Sequence, residues 1–87
     1  MIEVSVTVEN KMGIHARPAA LFVQTANAFI SEVRVSRDGV EVNGKSVMGL
    51  MMLAAHCGSK LTIKAWGSDE TEAMQALKAL FARRFQE

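Results

Sequence analysis

The fold of this chain is decided by one stretch, which reads Val33-Arg34-Val35-Ser36-Arg37-Asp38-Gly39-Val40-Glu41-Val42. Apolar and polar residues alternate on both sides of Asp38 and Gly39, which is the pattern of a strand with one buried face. The dipeptide Asp-Gly favours a type I′ turn, the two-residue turn that joins antiparallel strands. The stretch therefore predicts a β-hairpin in which Val40 and Val42 continue the apolar face on the returning strand.

Two other segments, residues 2–8 and 60–66, alternate in the same way and predict two further strands. Their apolar positions are Ile2, Val4, Val6 and Val8 in the first and Leu61, Ile63 and Ala65 in the second. Because each predicted strand has one apolar and one polar face, the sheet needs a cover on one side only.

Helical patterns between and after the strands predict that cover. They span residues 16–28, with Pro18 in the first turn, residues 47–55 after Ser46, and a last helix after Ser68 or Asp69. The apolar positions are Ala20, Leu21, Val23, Ala26, Ala28 and Phe29 in the first helix and Ala73, Met74, Leu77, Leu80 and Phe81 in the last, where Glu72 completes a predicted capping box with Asp69. The order β-α-β-β-α-β-α predicts an α/β (α+β) open-faced β-sandwich, a four-stranded, largely antiparallel sheet covered on one face by three helices.

Composition narrows the classes of function. The 87 residues, 10 basic and 9 acidic, are expected to form a single domain over residues 1–87. The net charge of +1 gives neither a nucleic-acid-binding footprint nor a basic membrane patch. Cys57 is the only cysteine, which excludes an internal disulfide, and neither a metal nor a cofactor is expected. No signal-like apolar run opens the chain, so we expect a cytoplasmic protein without membrane insertion.

The segment Gly13-Ile14-His15-Ala16-Arg17-Pro18 carries the candidate chemistry. Pro18 fits the first turn of a helix, so the helix begins close to His15. The backbone N–H groups of Ala16 and Arg17, the positive end of the helix dipole and the Arg17 guanidinium would all stabilise an anion held by His15. Histidine forms covalent intermediates, and this context predicts a phosphate-carrying nucleophile rather than an imperfect helix cap.

The stretch from Asn10 to Ala19 closely resembles the active-site motif of the HPr family, the histidine-containing phosphocarriers of the bacterial phosphoenolpyruvate-dependent phosphotransferase system. Length, element order and the segments 44–50 and 68–70 are similar as well. The resemblance implies that His15 accepts a phosphoryl group on Nδ1 from phosphorylated enzyme I and passes it to an enzyme IIA domain, steadied by Arg17. It implies a carrier without enzymatic turnover of its own, in sugar transport or in the parallel nitrogen-related chain.

Ser46 has two interpretations. Its place before the second helix predicts an N-cap. In the HPr family of some bacteria the matching serine is phosphorylated by a dedicated kinase, and Lys45 together with the helix start would favour a phosphate there. Gly44 departs from the kinase-regulated pattern, in which a larger apolar residue is more frequent, so both interpretations stay open.

The resemblance also implies a docking surface for enzyme I and enzyme IIA. Its predicted residues are Ala20, Gln24 and Asn27 on the first helix and Val47, Met48 and Met51 on the second. Flexible methionine side chains suit successive partners. A protein that presents one face in turn to several partners is expected to be a monomer.

Two other classes of function compete with phosphocarriage. A small RNA-binding domain would stack bases on the sheet, but Trp66 is the one aromatic residue predicted on its polar face. A small phosphate-ester hydrolase would use His15 and Arg17, but no second catalytic group accompanies them. His56 and Cys57 are adjacent, which suits a partly buried loop pair better than a metal site.

Overall fold

The computed structural model describes residues 1–86. Its elements in chain order are β1 (Ile2–Thr7), α1 (Ala16–Ala26), β2 (Glu32–Arg37), β3 (Val40–Asn43), α2 (Val47–Met52), β4 (Lys60–Trp66) and α3 (Glu70–Ala82). A short turn over Arg84–Gln86 follows, in which all three residues have positive φ. This order confirms the predicted β-α-β-β-α-β-α arrangement.

The four strands form one antiparallel sheet in the order β1-β4-β2-β3. Ile63 lies in its centre, opposite Val4 of β1 on one side and Val35 of β2 on the other. The hairpin between β2 and β3 turns at Asp38 and Gly39, which both have positive φ (52° and 85°), as a type I′ turn requires. The sheet places β1 and β3 at its two edges.

The core lies between one face of the sheet and the helices. Val33, Val35, Ile63 and Ala65 are buried on that face, and the predicted apolar stripe of α3 is buried against it. The opposite face carries polar residues and ion pairs, such as Lys64 with Glu41. The open-faced sandwich predicted from the sequence is thus the observed fold.

One hairpin prediction is wrong. Val42 is half-buried and packs against the core, but Val40 is 54% exposed. The reason is that Val40 begins the edge strand β3 directly after the turn, where the chain lies at the margin of the helical layer. The alternation of the sequence does not show where that layer ends.

The helices also differ from their predictions. In α1 the fully buried residues are Pro18, Ala19, Phe22 and Ala26, of which only Ala26 was predicted. The predicted Leu21 and Val23 are half-buried and pack against the edge of the core, so the centre of the buried face lies to one side of the predicted one. The helix ends at Ala26 and not at residue 28. Likewise α2 ends at Met52, before residue 55, and Ala54 adopts a positive φ of 51° that terminates helical geometry.

The start of α3 differs from the predicted capping box. Asp69 is the N-cap residue, but its carboxylate makes no capping hydrogen bond. Instead it accepts hydrogen bonds from the backbone N–H groups of Ile30 and Ser31, at 2.9 and 3.0 Å, and from the Ser31 hydroxyl. Glu70, not Glu72, accepts from a backbone N–H at this end, that of Gly67. The acid expected to cap a helix therefore fastens α3 to the loop before β2.

No helix within residues 1–86 is both long enough and apolar enough to cross a membrane.

Candidate functional site

His15 occupies the N-cap position of α1 and is exposed. Its backbone is extended (φ −92°, ψ −168°), and its carbonyl oxygen accepts the first hydrogen bond of the helix from Ala19 at 3.0 Å. Its side chain makes no capping hydrogen bond to the helix. The imidazole therefore stands at the positive end of α1 without serving as its cap, as the phosphate-carrying interpretation requires.

Ala16 and Arg17 form the first turn of α1, and both are exposed. The first N–H groups of a helix have no acceptor within it, so they can donate to an anion next to His15. No acidic residue lies in this turn, whereas the next residue, Pro18, is buried and anchors the turn to the core. The structure thus brings the guanidinium of Arg17 and the predicted backbone donors to the same helix end as His15.

The segment before His15 is held against the segment after α2. Gly13 has a φ of +72°, and a Cβ atom at this position would lie 2.5 Å from the carbonyl oxygen of Ala55. The same oxygen accepts a hydrogen bond from the N–H of Ile14 at 2.8 Å. The glycine of the motif is therefore needed for its conformation and for this close approach. Ala55 thus holds the loop that carries His15, and no local signal in the sequence identified it.

Ser46 is the N-cap of α2, and its hydroxyl oxygen accepts a hydrogen bond from the N–H of Gly49 at 3.0 Å. The side chain of the neighbouring Lys45 points elsewhere, since its Nζ donates to the carbonyl oxygen of Phe29 at 2.8 Å. The structure confirms the capping interpretation of Ser46. It does not place the Lys45 ammonium where a phosphate on Ser46 was expected to meet it.

The packing of Gly44 against β2 accounts for a glycine at this position, where the kinase-regulated pattern has a larger residue. A Cβ atom on Gly44 would lie 2.5 Å from Cγ1 of Val33, and the N–H of Gly44 donates to the carbonyl oxygen of Val33 at 2.8 Å. A larger residue at this position requires the Val33 side chain to move, so the glycine here is dictated by packing against β2.

The predicted docking residues are mostly exposed. Gln24 and Asn27 are exposed on α1, Ala20 is half-buried, and Met48 and Met51 on α2 are 76% and 44% exposed. Val47 was predicted on this outer surface, but it is half-buried and packs against the core. Val47 lies three residues before the buried Leu50, and residues at that spacing share one face of a helix, so both face the core. Met52, 76% exposed, adds an outer methionine that the prediction omitted.

His56 and Cys57 are both exposed, so the prediction of a partly buried pair is wrong. They lie where the chain turns outward between α2 and β4, near Gly58 with its φ of +95°. Within residues 1–86, no three side chains of the types His, Cys, Asp and Glu converge as a metal site would need. Trp66 lies at the end of β4 and is 38% exposed, as predicted for the polar face of the sheet.

Residues 2–83 match the family model described as PTS HPr component phosphorylation site. The chain belongs to the HPr family. It is 51% identical over 87 residues to the phosphocarrier protein HPr of Cupriavidus necator, covering 100% of this chain and 98% of that protein. It is 53% identical over 83 residues to the HPr-like protein Crh of Halalkalibacterium halodurans, covering 95% of this chain and 99% of the relative.

Solved structures agree with this family membership. The crystal structure of HPr-C-His from Thermoanaerobacter tengcongensis superposes with a TM-score of 0.96 at 48% sequence identity, covering 100% of this chain and 98% of that one. The predicted resemblance to the HPr family is thereby confirmed over the whole chain, and phosphocarriage is favoured over RNA binding and ester hydrolysis.

Proposed function

We propose that this HPr-family phosphocarrier carries its phosphoryl group on Nδ1 of His15. The observation that supports this most strongly is the exposure of His15 at the positive end of α1, with Arg17 exposed two residues later and no acidic residue in that turn. An added phosphate would meet the helix dipole, the first backbone N–H groups and a guanidinium together.

The transfer itself is a simple exchange of one bond to phosphorus. The ring nitrogen of His15 attacks the phosphorus carried by enzyme I, a P–N bond forms at His15, and the bond between phosphorus and enzyme I breaks, leaving its electron pair on the enzyme I donor atom. In a second displacement of the same kind a histidine of enzyme IIA attacks the phosphorus, and the P–N bond to His15 breaks and returns its electron pair to the imidazole. The Arg17 guanidinium and the N–H groups of Ala16 and Arg17 stabilise the charge on the phosphate oxygens.

Enzyme I and enzyme IIA domains are the proposed partners, and the cytoplasm is the proposed compartment. The exposed methionines Met48 and Met51 lie on α2, which packs against α1, so a partner seated on them can reach His15. The general sugar-transport branch is favoured here, and the nitrogen-related branch is the alternative. Purified enzyme I proteins of the two branches, compared by kcat/KM, distinguish them.

The proposed working state is a monomer. One solved relative is described as an HPr dimer from Thermoanaerobacter tengcongensis, with a TM-score of 0.80 to this chain. A carrier must expose the same face to a donor and then to an acceptor, which a dimer covering that face prevents. Sedimentation at the protein concentration of the transfer assay tests this, and a dimer that transfers at full rate contradicts it.

Ser46 is proposed as a site of regulatory phosphorylation. Its hydroxyl caps α2, and Met48 of the docking surface lies two residues later. A phosphate there adds close to two negative charges next to an apolar docking surface. Incubation with a bacterial HPr serine kinase and ATP, with Ser46→Ala as control, tests the site. A phosphate found elsewhere, or an unchanged rate of His15 phosphorylation, contradicts the proposal.

The deciding experiment for the carrier function is intact-mass analysis after incubation with phosphoenolpyruvate and enzyme I. We expect one added phosphate that is lost in acid, since P–N bonds are acid-labile. His15→Ala removes it. His56→Ala, which alters the only other histidine, retains it.

A folded wild-type protein that gains no phosphate from enzyme I of either branch contradicts the proposal, provided that each enzyme I phosphorylates a control carrier. A phosphate that persists in His15→Ala contradicts the assignment of the site.

A further inference from the structure

Asn10 is a buried amide in a surface loop. It lies between β1 and α1 and is only 1% exposed, whereas its neighbours Glu9 and Lys11 are exposed. Its Nδ2 donates a hydrogen bond to the carbonyl oxygen of Gly13. The backbone carbonyl oxygen of Asn10 accepts a second hydrogen bond, from the N–H of Gly13 at 3.1 Å. Asn10 therefore closes the turn over residues 10–13 with its side chain and its backbone.

The burial of this amide has a cost. Its Oδ1 is buried and has no hydrogen-bond partner within residues 1–86. A buried polar atom without a partner destabilises the folded state, and an apolar side chain would avoid that loss. The contribution of Asn10 to this loop is therefore the hydrogen bond that its Nδ2 donates to Gly13.

The turn that Asn10 closes is connected directly to His15. Gly13 leaves the turn with positive φ and lies against Ala55, and the N–H of Ile14 donates to the Ala55 carbonyl oxygen at 2.8 Å. The side chain of Ile14 packs against the core. His15 follows as the next residue and begins α1. Its backbone position is thus fixed from one side by α1 and from the other by the turn.

We propose that Asn10 is a positioning residue for phosphoryl transfer, because its hydrogen bond to Gly13 sets the backbone from which the His15 imidazole reaches the donor phosphorus. This inference rests on the proposed function of His15. Asn10 does not touch the phosphate. It acts through Gly13 and Ile14, so its loss changes the orientation of the imidazole and leaves the docking surface intact.

The test compares Asn10→Asp and Asn10→Ala with the wild type in transfer from phosphorylated enzyme I. Asn10→Ala removes the N–H donor without adding a charge, whereas Asn10→Asp is nearly isosteric but replaces the donor with an oxygen and adds a buried carboxyl group. A loss of kcat is therefore assigned to the hydrogen bond only where both variants show it. Small misplacements of a reacting group cost up to about a hundredfold in rate, so we expect kcat to fall roughly tenfold or more. KM should stay within about twofold, since Met48 and Met51 are untouched.

Ser31→Ala is the matched control. Ser31 lies in the loop before β2, at the other end of α1 from His15, and is also 1% exposed. Its hydroxyl donates a hydrogen bond to Asp69, the N-cap residue of α3. This variant loses a buried hydrogen bond without altering the turn. We expect an unchanged kcat at a temperature where all variants are folded. Equal losses of kcat in Asn10→Asp and Ser31→Ala, or a rise in KM alone, overturn the positioning role.

A second measurement needs no partner protein. Amide hydrogen exchange of Ile14 should accelerate roughly tenfold or more in Asn10→Asp, while that of Gly49 in α2 is unchanged. Uniform acceleration, or none, overturns the inference. If the wild type gains no phosphate from enzyme I, the proposed carrier function fails, and this exchange experiment still decides whether Asn10 holds the loop.

Discussion

The N–H of Ile14 donates a hydrogen bond to the carbonyl oxygen of Ala55 at 2.8 Å, although the two residues are 41 positions apart in the chain. This contact joins the loop that carries His15 to the segment that leaves α2. Arg37 supports the same segment from β2, since its guanidinium donates to the carbonyl oxygen of Leu53 at 3.0 Å. The proposed phosphorylation site and the helix of the docking surface are therefore fixed relative to one another by backbone contacts.

Gly13→Ala tests the close approach of the two segments. A residue with a Cβ atom destabilises the folded state by about 1–2 kcal/mol when its backbone is left-handed. Overpacking against Ala55 adds a further loss of stability of about 1–3 kcal/mol. Gly39→Ala is the control, because Gly39 also has positive φ but a Cβ atom there would meet no heavy atom within 4 Å. Urea unfolding should show a larger loss for Gly13→Ala, and equal losses contradict the role of the Ala55 contact.

Arg17→Ala and Arg17→Lys test the stabilisation of the phosphate. A charge-assisted hydrogen bond contributes about 1.5–3 kcal/mol, so the rate of His15 phosphorylation should fall roughly tenfold to hundredfold in Arg17→Ala. Lysine should restore part of it, because it supplies the charge without the planar fork. Since Arg17 is exposed, the free energy of unfolding should change by less than about 0.5 kcal/mol.

Arg34→Ala is the control for net charge, because Arg34 lies on the open face of the sheet beside Glu32, at 3.3 Å. Rapid-quench kinetics at one ionic strength compares the variants. An equal loss of rate in Arg34→Ala means that Arg17 acts only through the overall charge of the protein.

Asp69→Asn tests the link between α3 and the loop before β2. The hydrogen bond from the Ser31 hydroxyl and that from the Ile30 N–H lower the pKa of Asp69 from its ordinary value of 3.8. A carboxylate whose folded-state pKa is lowered stabilises the fold above its unfolded pKa, and the stabilisation is lost as the pH falls through the folded pKa. The wild type should therefore be more stable than Asp69→Asn at neutral pH.

That difference in unfolding free energy should be constant at neutral pH and shrink as the pH falls below 3.8. Denaturant unfolding of both proteins over this range measures it. Glu70, whose pKa is lowered by the terminal ammonium of Met1, titrates in both proteins and cancels in the comparison. A difference independent of pH contradicts the charged role of Asp69.

The sequence predicts those features that depend on neighbours along the chain. The hairpin follows from alternation around Asp38 and Gly39, and the helix start at His15 follows from Pro18. The alanine-rich helix α1 is apolar on more than one side, so its pattern does not identify the buried face. Asp69 shows the other limit, because its partners lie 38 and 39 residues away and replace the local cap that the sequence favoured.

The site divides in the same way. His15 and Arg17 are identified by a local motif, and the methionines of α2 were predicted as docking residues from the resemblance to the HPr family. Asn10 and Ala55 support the site through a turn and a long-range contact. Asn10 opens the family motif, but the sequence does not show its hydrogen bond to Gly13, and no local signal marks Ala55. Their role follows only from the packed structure, in which the loop before α1 and the segment after α2 meet.

Ser46→Ala tests the cap of α2. Loss of an N-cap hydroxyl costs about 1 kcal/mol of stability, and Ser46→Asp, which can also accept from the Gly49 N–H, should retain most of it. Ser68→Ala, at an exposed serine before α3, is the control and should change stability by less than about 0.5 kcal/mol. Amide exchange of Gly49 locates the effect, and an unchanged exchange rate in Ser46→Ala contradicts the capping role.

Met48→Glu tests the docking surface. Met48 is 76% exposed in the isolated protein, so the substitution should leave the free energy of unfolding nearly unchanged. A carboxylate placed in an apolar interface must lose its water on docking, and we expect KM for enzyme I to rise roughly tenfold or more. The value of kcat should change little, because His15 and Arg17 are intact.

Ile30→Glu is the matched control. Ile30 is 80% exposed and lies before β2, at the other end of α1 from His15. A rise in KM of equal size in Ile30→Glu assigns the effect to added negative charge and contradicts docking at Met48.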